Sequence, residues 1–309
     1  MDLANEARAL RDDGDVNGAI ALLESERDQY PRHLALTLLT QAELLAQSGR
    51  TDLALETLDS ALAKGCRYRK EWIVSNARLA PLQADGQLAA FAERAQRAYD
   101  EASAAAKPQL MFAMPDTLPD AFGYPLLMVM HGNNSNAKET APRWTPVADK
   151  GWVVAVPQSS EVGASPGAYT WNDRERAASE IELHLDRVKR ATEIDTSRIV
   201  LAGFSMGATH AIAFALTKRF MVRGFIAVAA WLPHVREFRG LIEGGAGKML
   251  RAYVLVGERD ASRDGARELV DVLAAHGVRA RLDERADLGH DYPEDMDATL
   301  ATALEFATK

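Results

Sequence analysis

The 309-residue sequence is short of cysteine, of basic charge and of long apolar runs, and each shortage excludes something. Cys66 is the single cysteine, so no intramolecular disulfide can form and any core must hold without a covalent staple, which suits a reducing compartment. Against 44 acidic residues there are 36 Lys and Arg, a net charge of −8, and this gives no electrostatic footprint for nucleic acid. The acidic excess is spread evenly, because residues 1–107 and the remainder each carry −4 and neither is a basic arm. The longest apolar runs, around Pro125–Met130 and Gly224–Pro233, fall short of the ~18 residues that span a bilayer. The start Met1-Asp2-Leu3-Ala4-Asn5-Glu6 is acidic and lacks the apolar segment of a secretory signal, so a cytoplasmic location is expected. His33, His184, His234 and His276 show no ligand spacing with one another, so no metal is expected and no cofactor is called for.

What is present divides by texture. Up to Lys107 the chain is rich in Ala, Leu, Glu and Arg, the strong helix formers, and has almost no β-branched runs. Within it Gly14-Asp15-Val16-Asn17-Gly18-Ala19-Ile20 returns as Gly49-Arg50-Thr51-Asp52-Leu53-Ala54-Leu55, and Leu23 matches Leu58. Pro31 closes the first copy where Cys66 closes the second. This resembles the tetratricopeptide repeat, whose period is ~34 residues and whose helix pairs must stack on neighbours to bury their apolar stripes. Residues 1–107 are therefore expected to form an all-α, repeat-like domain, with a third pair from Trp72 to Ala98 turning at Asp85-Gly86. Two roles stay open for it, a cap or a groove for a protein or peptide partner. Arg67, Arg69 and Lys70 read as a solvated helix end.

From Pro108 strands and helices alternate, as in an α/β domain over residues 108–309. Strands are expected at Gln109–Met114, Pro125–His131, Trp152–Val156, Ile199–Ala202, Gly224–Ala229, Leu250–Val256 and Val278–Glu284. Helices are expected at Glu139–Lys150, interrupted early by Pro142 and Pro146, and at Arg176–Ala191, Ala208–Phe220, Ala266–His276 and from Pro293 to Ala307. Nearly continuous apolar strands between helices imply a doubly wound, mostly parallel sheet covered on both faces. Right-handed crossovers then bring the C-terminal ends of the strands to one edge, where ligands bind.

At that edge Gly203-Phe204-Ser205-Met206-Gly207 joins an apolar strand to an Ala-rich helix, the G-x-S-x-G pattern of a nucleophile elbow. So sharp a turn strains its central residue and leaves no room for bulk beside it, which is why Gly203 and Gly207 flank Ser205. Asp260 follows the next strand but one, in Gly257-Glu258-Arg259-Asp260, and His290 follows the last strand, in Leu288-Gly289-His290-Asp291. The chain order Ser, Asp, His, with His131-Gly132 after an earlier strand, resembles the serine hydrolases of the α/β-hydrolase superfamily. The likeness is to carboxylesterases, phospholipase-type esterases and dienelactone-hydrolase-like enzymes, and it covers about two-thirds of the chain.

The resemblance implies a carboxylic ester hydrolase acting on a small or medium substrate through an acyl-enzyme, with catalytic Ser205, His290 and Asp260. A serine hydroxyl needs a base within hydrogen-bond reach, a role that falls to the His290 imidazole, while Asp260 fixes the imidazole tautomer. Asp264 and Glu258 lie close enough in sequence to stand in for Asp260. Oxyanion donors fall on the backbone N–H groups of Met206 and Asn133, with Asn134 a neighbour that stays open. Trp171 and Trp231 follow strands at the same edge and are candidate pocket walls, His131 reads as a brace for the oxyanion loop, and His210 as packing. Two other readings share these residues: a thioesterase or peptidase with the same triad, and a peptide-binding scaffold whose hydrolase domain is inert.

Overall fold

The structure is a computed structural model that describes residues 3–83 and 86–308. Two compact units emerge, Met1–Lys107 with Ser160–Thr170, and Pro108–Ser159 with Trp171–Lys309.

The first unit is helical. Helices α1 (Leu3–Asp12) and α2 (Val16–Glu26) form one packed pair, and α3 (Leu34–Gln47) and α4 (Thr51–Ala63) another. The two pairs turn at Gly14 and Gly49, with φ +91° and +77°, values that L side chains resist, which explains the glycine at each repeat of the sequence pattern. Asp15 caps α2 by accepting from Gly18 N–H at 2.8 Å. Leu23 and Leu58, the matched leucines, are fully buried in one core with Leu38 and Phe91. The third expected pair takes another form: a five-residue α5 (Lys70–Val74), a 3-10 stretch at Ala77–Leu82 containing Pro81, and a long α6 (Gln87–Ala105). Of the expected turn, Asp85 lies outside the described residues, and Gly86 takes φ +67° ahead of α6. Loop 160–170 completes this unit, since Ala35 N–H donates to Ser165 Oγ and Arg67 N–H to Ala164 O.

The second unit is a seven-stranded sheet of β1 (Gln109–Ala113), β2 (Tyr124–Met130), β3 (Val153–Gln158), β4 (Ile194–Phe204), β5 (Gly224–Val228), β6 (Arg251–Gly257) and β7 (Arg279–Arg285). Their order is β1-β3-β2-β4-β5-β6-β7, with β1 antiparallel to β3 and the remaining neighbours parallel. Alternation along each strand serves two cores: Leu126, Met128 and Met130 join one cluster, Leu127 and Val129 the other. The first face is covered by α8 (Arg174–Ala191), α9 (Met206–Leu216), α10 (Arg236–Glu243) and α11 (Arg263–Ala275), the second chiefly by α12 (Met296–Thr308).

Three local expectations need correction. The helix expected at Glu139–Lys150 is a four-residue α7 (Ala137–Thr140) followed by 3-10 turns at Ala141–Arg143 and Thr145–Lys150. Pro142 and Pro146 explain this, because each lacks the N–H that a continuing α-helix requires. Strand β4 starts at Ile194 rather than Ile199, its polar opening Asp195-Thr196-Ser197-Arg198 having hidden the strand pattern. Helix α10 was not foreseen from the sequence, although Phe238 and Ile242 are four apart and both buried.

Candidate active site

The elbow between β4 and α9 has the strain its sequence calls for. Ser205 sits at φ +51°, ψ −120°, a backbone region that non-glycine residues avoid. A side chain at Gly203 would place Cβ 2.5 Å from the Gly207 carbonyl carbon, and one at Gly207 would meet Met130 O at 2.3 Å. The two glycines thus let α9 start against the end of β2. Ser205 N–H donates to Val228 O and Ser205 O accepts from Trp231 N–H, which ties the elbow to the end of β5.

The loops after β6 and β7 are joined in the same way. Arg259 N–H donates to Leu288 O, Glu258 N–H to Arg285 O, and a Cβ on Gly257 would lie 2.1 Å from Leu288 O. This close approach sets Asp260 beside His290. His290 Nδ1 lies 2.8 Å from Asp260 Oδ2, and His290 Nε2 lies 2.9 Å from Ser205 Oγ. Asp260 is 5% exposed and its other oxygen accepts from Ser262 N–H at 2.8 Å. Burial alone would raise its pKa, but the bonds from His290 and Ser262 outweigh it and hold the carboxyl below its ordinary value, so it is ionised at neutral pH. The two other acids stand apart: Glu258 faces Arg263, and Asp264 is exposed in the first turn of α11.

The first N–H groups of a helix lack intrahelical partners, and Met206 opens α9 directly after Ser205. Asn133, in the loop after β2, does more than its backbone position suggested. Its Oδ1 accepts from Trp171 N–H at 2.8 Å and its Nδ2 donates to Asn172 Oδ1 at 3.0 Å, which pins the loop to the segment entering α8. Asn134 follows with φ +59°. A Cβ on Gly132 would lie 3.4 Å from Ser205 Cβ, so this loop passes directly over the elbow.

Of the two tryptophans read as pocket walls, Trp171 is buried at 1% exposure and its indole N–H donates to His131 O at 2.9 Å. It packs on the His131 ring at 4.8 Å and so braces the loop from within. Trp231 is 46% exposed and stands next to Ser205, with its carbonyl held by Thr209 Oγ1. His131 lies within hydrogen-bond distance of Gly132 O through Nδ1 and accepts from Ser159 N–H at 3.3 Å through Nε2, an arrangement that defines a neutral Nδ1–H tautomer. His210, with Nε2 2.6 Å from Trp171 O, stacks on Phe214 inside the core.

An aromatic column beside His290 escaped the sequence reading. Phe204 lies under His290 at 5.1 Å and stacks on Tyr292 at 4.4 Å, and the Arg143 guanidinium covers the outer face of Tyr292 at 4.8 Å. Its sequence signal was the variable residue of the elbow and the Tyr292 that follows His290, neither of which has a spacing rule.

Burial pushes His131 down to about 4, and burial followed by the nearby Arg187 pushes His184 of α8 down to about 4 as well. Both are neutral in the folded protein, whereas in the unfolded chain they protonate near the ordinary 6.5. Their contribution to stability is complete above pH 6.5 and is lost as pH falls toward 4, at about 3 kcal/mol for each histidine. Urea midpoints at pH 7.5 and 4.5 measure the loss. The variant His184→Leu should remove roughly half of the part due to this pair, and an unchanged pH slope would refute the assignment.

Comparison with known proteins gives a consistent setting. Residues 169–257, from the approach to α8 through the end of β6, match the family model described as Phospholipase/Carboxylesterase. The matched segment includes the Ser205 elbow, and the second unit has the α/β-hydrolase fold. Among solved structures, the chain is similar to an uncharacterized protein from Bacillus cereus ATCC 10987, at 24% identity and a TM-score of 0.54, over 99% of this chain and 97% of that one. It is also similar to esterase PE8, at 20% identity and a TM-score of 0.53, over 65% of this chain and 99% of that one. The second likeness has the extent of the α/β unit alone, while the first spans the N-terminal helices as well. No curated protein sequence matches the chain. Among the described residues no helix is long and apolar enough to cross a membrane, and no group of three or more metal-ligating side chains converges.

Proposed function

We propose that the protein cleaves a carboxylic ester of small or medium size through Ser205, His290 and Asp260, by way of an acyl-enzyme. The observation that carries this reading is the chain of two hydrogen-bond distances, 2.9 Å from Ser205 Oγ to His290 Nε2 and 2.8 Å from His290 Nδ1 to the buried Asp260. In the first half-reaction Ser205 Oγ attacks the ester carbonyl carbon as its proton passes to His290 Nε2. Asp260, ionised and bonded to Nδ1–H, stabilises the imidazolium without taking the proton. The carbonyl oxygen becomes an oxyanion that the N–H groups of Met206 and Asn133 receive. His290 then protonates the departing alkoxide, and the alcohol leaves. In the second half-reaction water repeats the attack, its proton going to His290, and the acid is released with Ser205 restored. Trp231, exposed beside Ser205, would form a wall of the substrate pocket, and Asn134, next to Asn133 in the loop after β2, would contact the substrate from that loop.

A fluorophosphonate probe should phosphonylate Ser205, seen as a mass shift of the peptide that contains it. Asp260→Asn should slow both labelling and p-nitrophenyl butyrate turnover by about 10³- to 10⁴-fold, because the amide no longer selects the tautomer that leaves Nε2 free. Labelling elsewhere, or full activity in the Asp260→Asn variant, would sink the proposal. Turnover of thioesters with none of esters would assign the thioesterase reading in its place.

A further inference from the structure

The end of the sheet opposite Ser205 carries a second concave site. Ser205 follows the C-terminal end of β4, whereas this cleft opens where β5 and β6 begin, between the C-terminal end of α9 and the loop that enters β6. It encloses about 220 Å³. Its floor is formed by buried Phe220 and Leu250, and its rim by Met221 and Met249, which are 81% and 79% exposed. Methionine is flexible and polarizable, a side chain suited to lining a site that must accept an apolar chain. Exposure on this scale of two large apolar groups at one opening calls for an occupant.

Charge defines the other half of that occupant. Lys218 and Lys248 both line the cleft, and among the described residues neither side-chain ammonium has an ion-pair or hydrogen-bond partner. Arg223 and Arg279 stand at the starts of β5 and β7, and they too form no ion pair among the described residues. Between them the Arg251 guanidinium has its pKa lowered, first by burial and then by the like charges of Arg279 and Arg223. In a protein of net charge −8 this end of the sheet is thus a local positive field beside an apolar hollow. The volume suits one alkyl chain and is too small for the side of a helix.

We propose that the cleft binds an amphiphilic carboxylate, with its alkyl tail among Phe220, Met221, Met249 and Leu250 and its anionic head between Lys218 and Lys248. The site stands on its own residues. It rests on the esterase reading only in that a carboxylic acid is the class of product that reading releases, so occupancy here would report accumulated product at a distance from Ser205.

The test is a titration of the full-length protein with decanoate below its micelle concentration, followed by NMR of ¹³C-methyl methionine. Met221 and Met249 report the cleft, and Met206 reports the active site. Saturable shifts of Met221 and Met249 are expected, unchanged in Ser205→Ala and weakened at least tenfold in the Lys218→Glu/Lys248→Glu double variant. Both lysines are solvent-facing, and a thermal melt of the double variant checks that it folds; Met221→Ser/Met249→Gln, read by calorimetry, is a second variant expected to weaken binding by a similar factor. Shifts confined to Met206, equal affinity in the double variants, or binding to anionic phosphatidylglycerol vesicles without binding monomeric decanoate would each overturn the proposal. Because Ser205→Ala removes ester turnover and leaves this binding in place, failure here and failure of the esterase reading are separate results.

Discussion

Ser205→Ala should lower turnover of p-nitrophenyl butyrate by about 10⁴-fold or more while leaving the fold intact. The loss is large because in the proposed mechanism the hydroxyl is the attacking atom and the neighbouring groups act through it: without Oγ, His290 Nε2 has no proton to take. The same residue offers an opposite effect on stability. Ser205 is held at φ +51°, a conformation costing of order 1–3 kcal/mol for a residue with a Cβ. Ser205→Gly should therefore be inactive yet more stable than the parent by about 1 kcal/mol, whereas Ser205→Ala should be nearly neutral in stability. Urea unfolding of the two variants beside their kinetics separates the roles. A Ser205→Gly protein less stable than the parent would show that the hydroxyl, rather than the turn, sustains this geometry.

Gly207→Ala should destabilise the protein by about 3 kcal/mol and abolish activity with the smallest side chain available. The added Cβ would lie 2.3 Å from Met130 O and 2.4 Å from His131 O, both backbone atoms of β2 and its exit, so no side chain can swing aside to relieve the clash. Relief requires α9 to move away from the sheet, and Met206 N–H and Ser205 Oγ move with it. The control is Gly240→Ala in α10, where a Cβ would meet nothing within 4 Å. There the exchange should stabilise by about 0.5–1 kcal/mol through helix propensity. Equal effects at the two positions would refute the close-approach argument.

The Phe204 and Tyr292 stack explains how His290, an exposed histidine, keeps its direction. The His290 side chain is 41% exposed, and its two polar contacts leave the imidazole faces free to tilt; Phe204 closes one of them. This support belongs to the elbow itself, since Phe204 precedes the serine. Ser205 and the orientation of His290 therefore depend on one turn.

Much of this protein was decided locally, and those parts could be read from the chain. Continuous apolar strands between helices implied a parallel sheet covered on both faces, because a strand buried on two sides has no polar face to alternate with. The glycines around Ser205, and Gly14 and Gly49 in the helical unit, announced positive φ or close backbone approach, since no other residue meets either demand cheaply. The chain order of Ser205, Asp260 and His290 placed three chemically matched groups at one sheet edge. Side-chain pattern fell short where polar residues served a strand, as at Asp195–Arg198 opening β4, and where prolines divided a helical stretch into turns. Tertiary packing alone assigned Trp171 to the interior, gave Asn133 a side-chain clamp, and set Phe204 and Tyr292 around His290, because each depends on segments dozens of residues apart that no spacing rule relates. The same holds for the cationic cleft at the far end of the sheet. Its lysines and methionines follow no spacing rule in sequence, and they meet only where the segment after α9 comes beside the loop that enters β6.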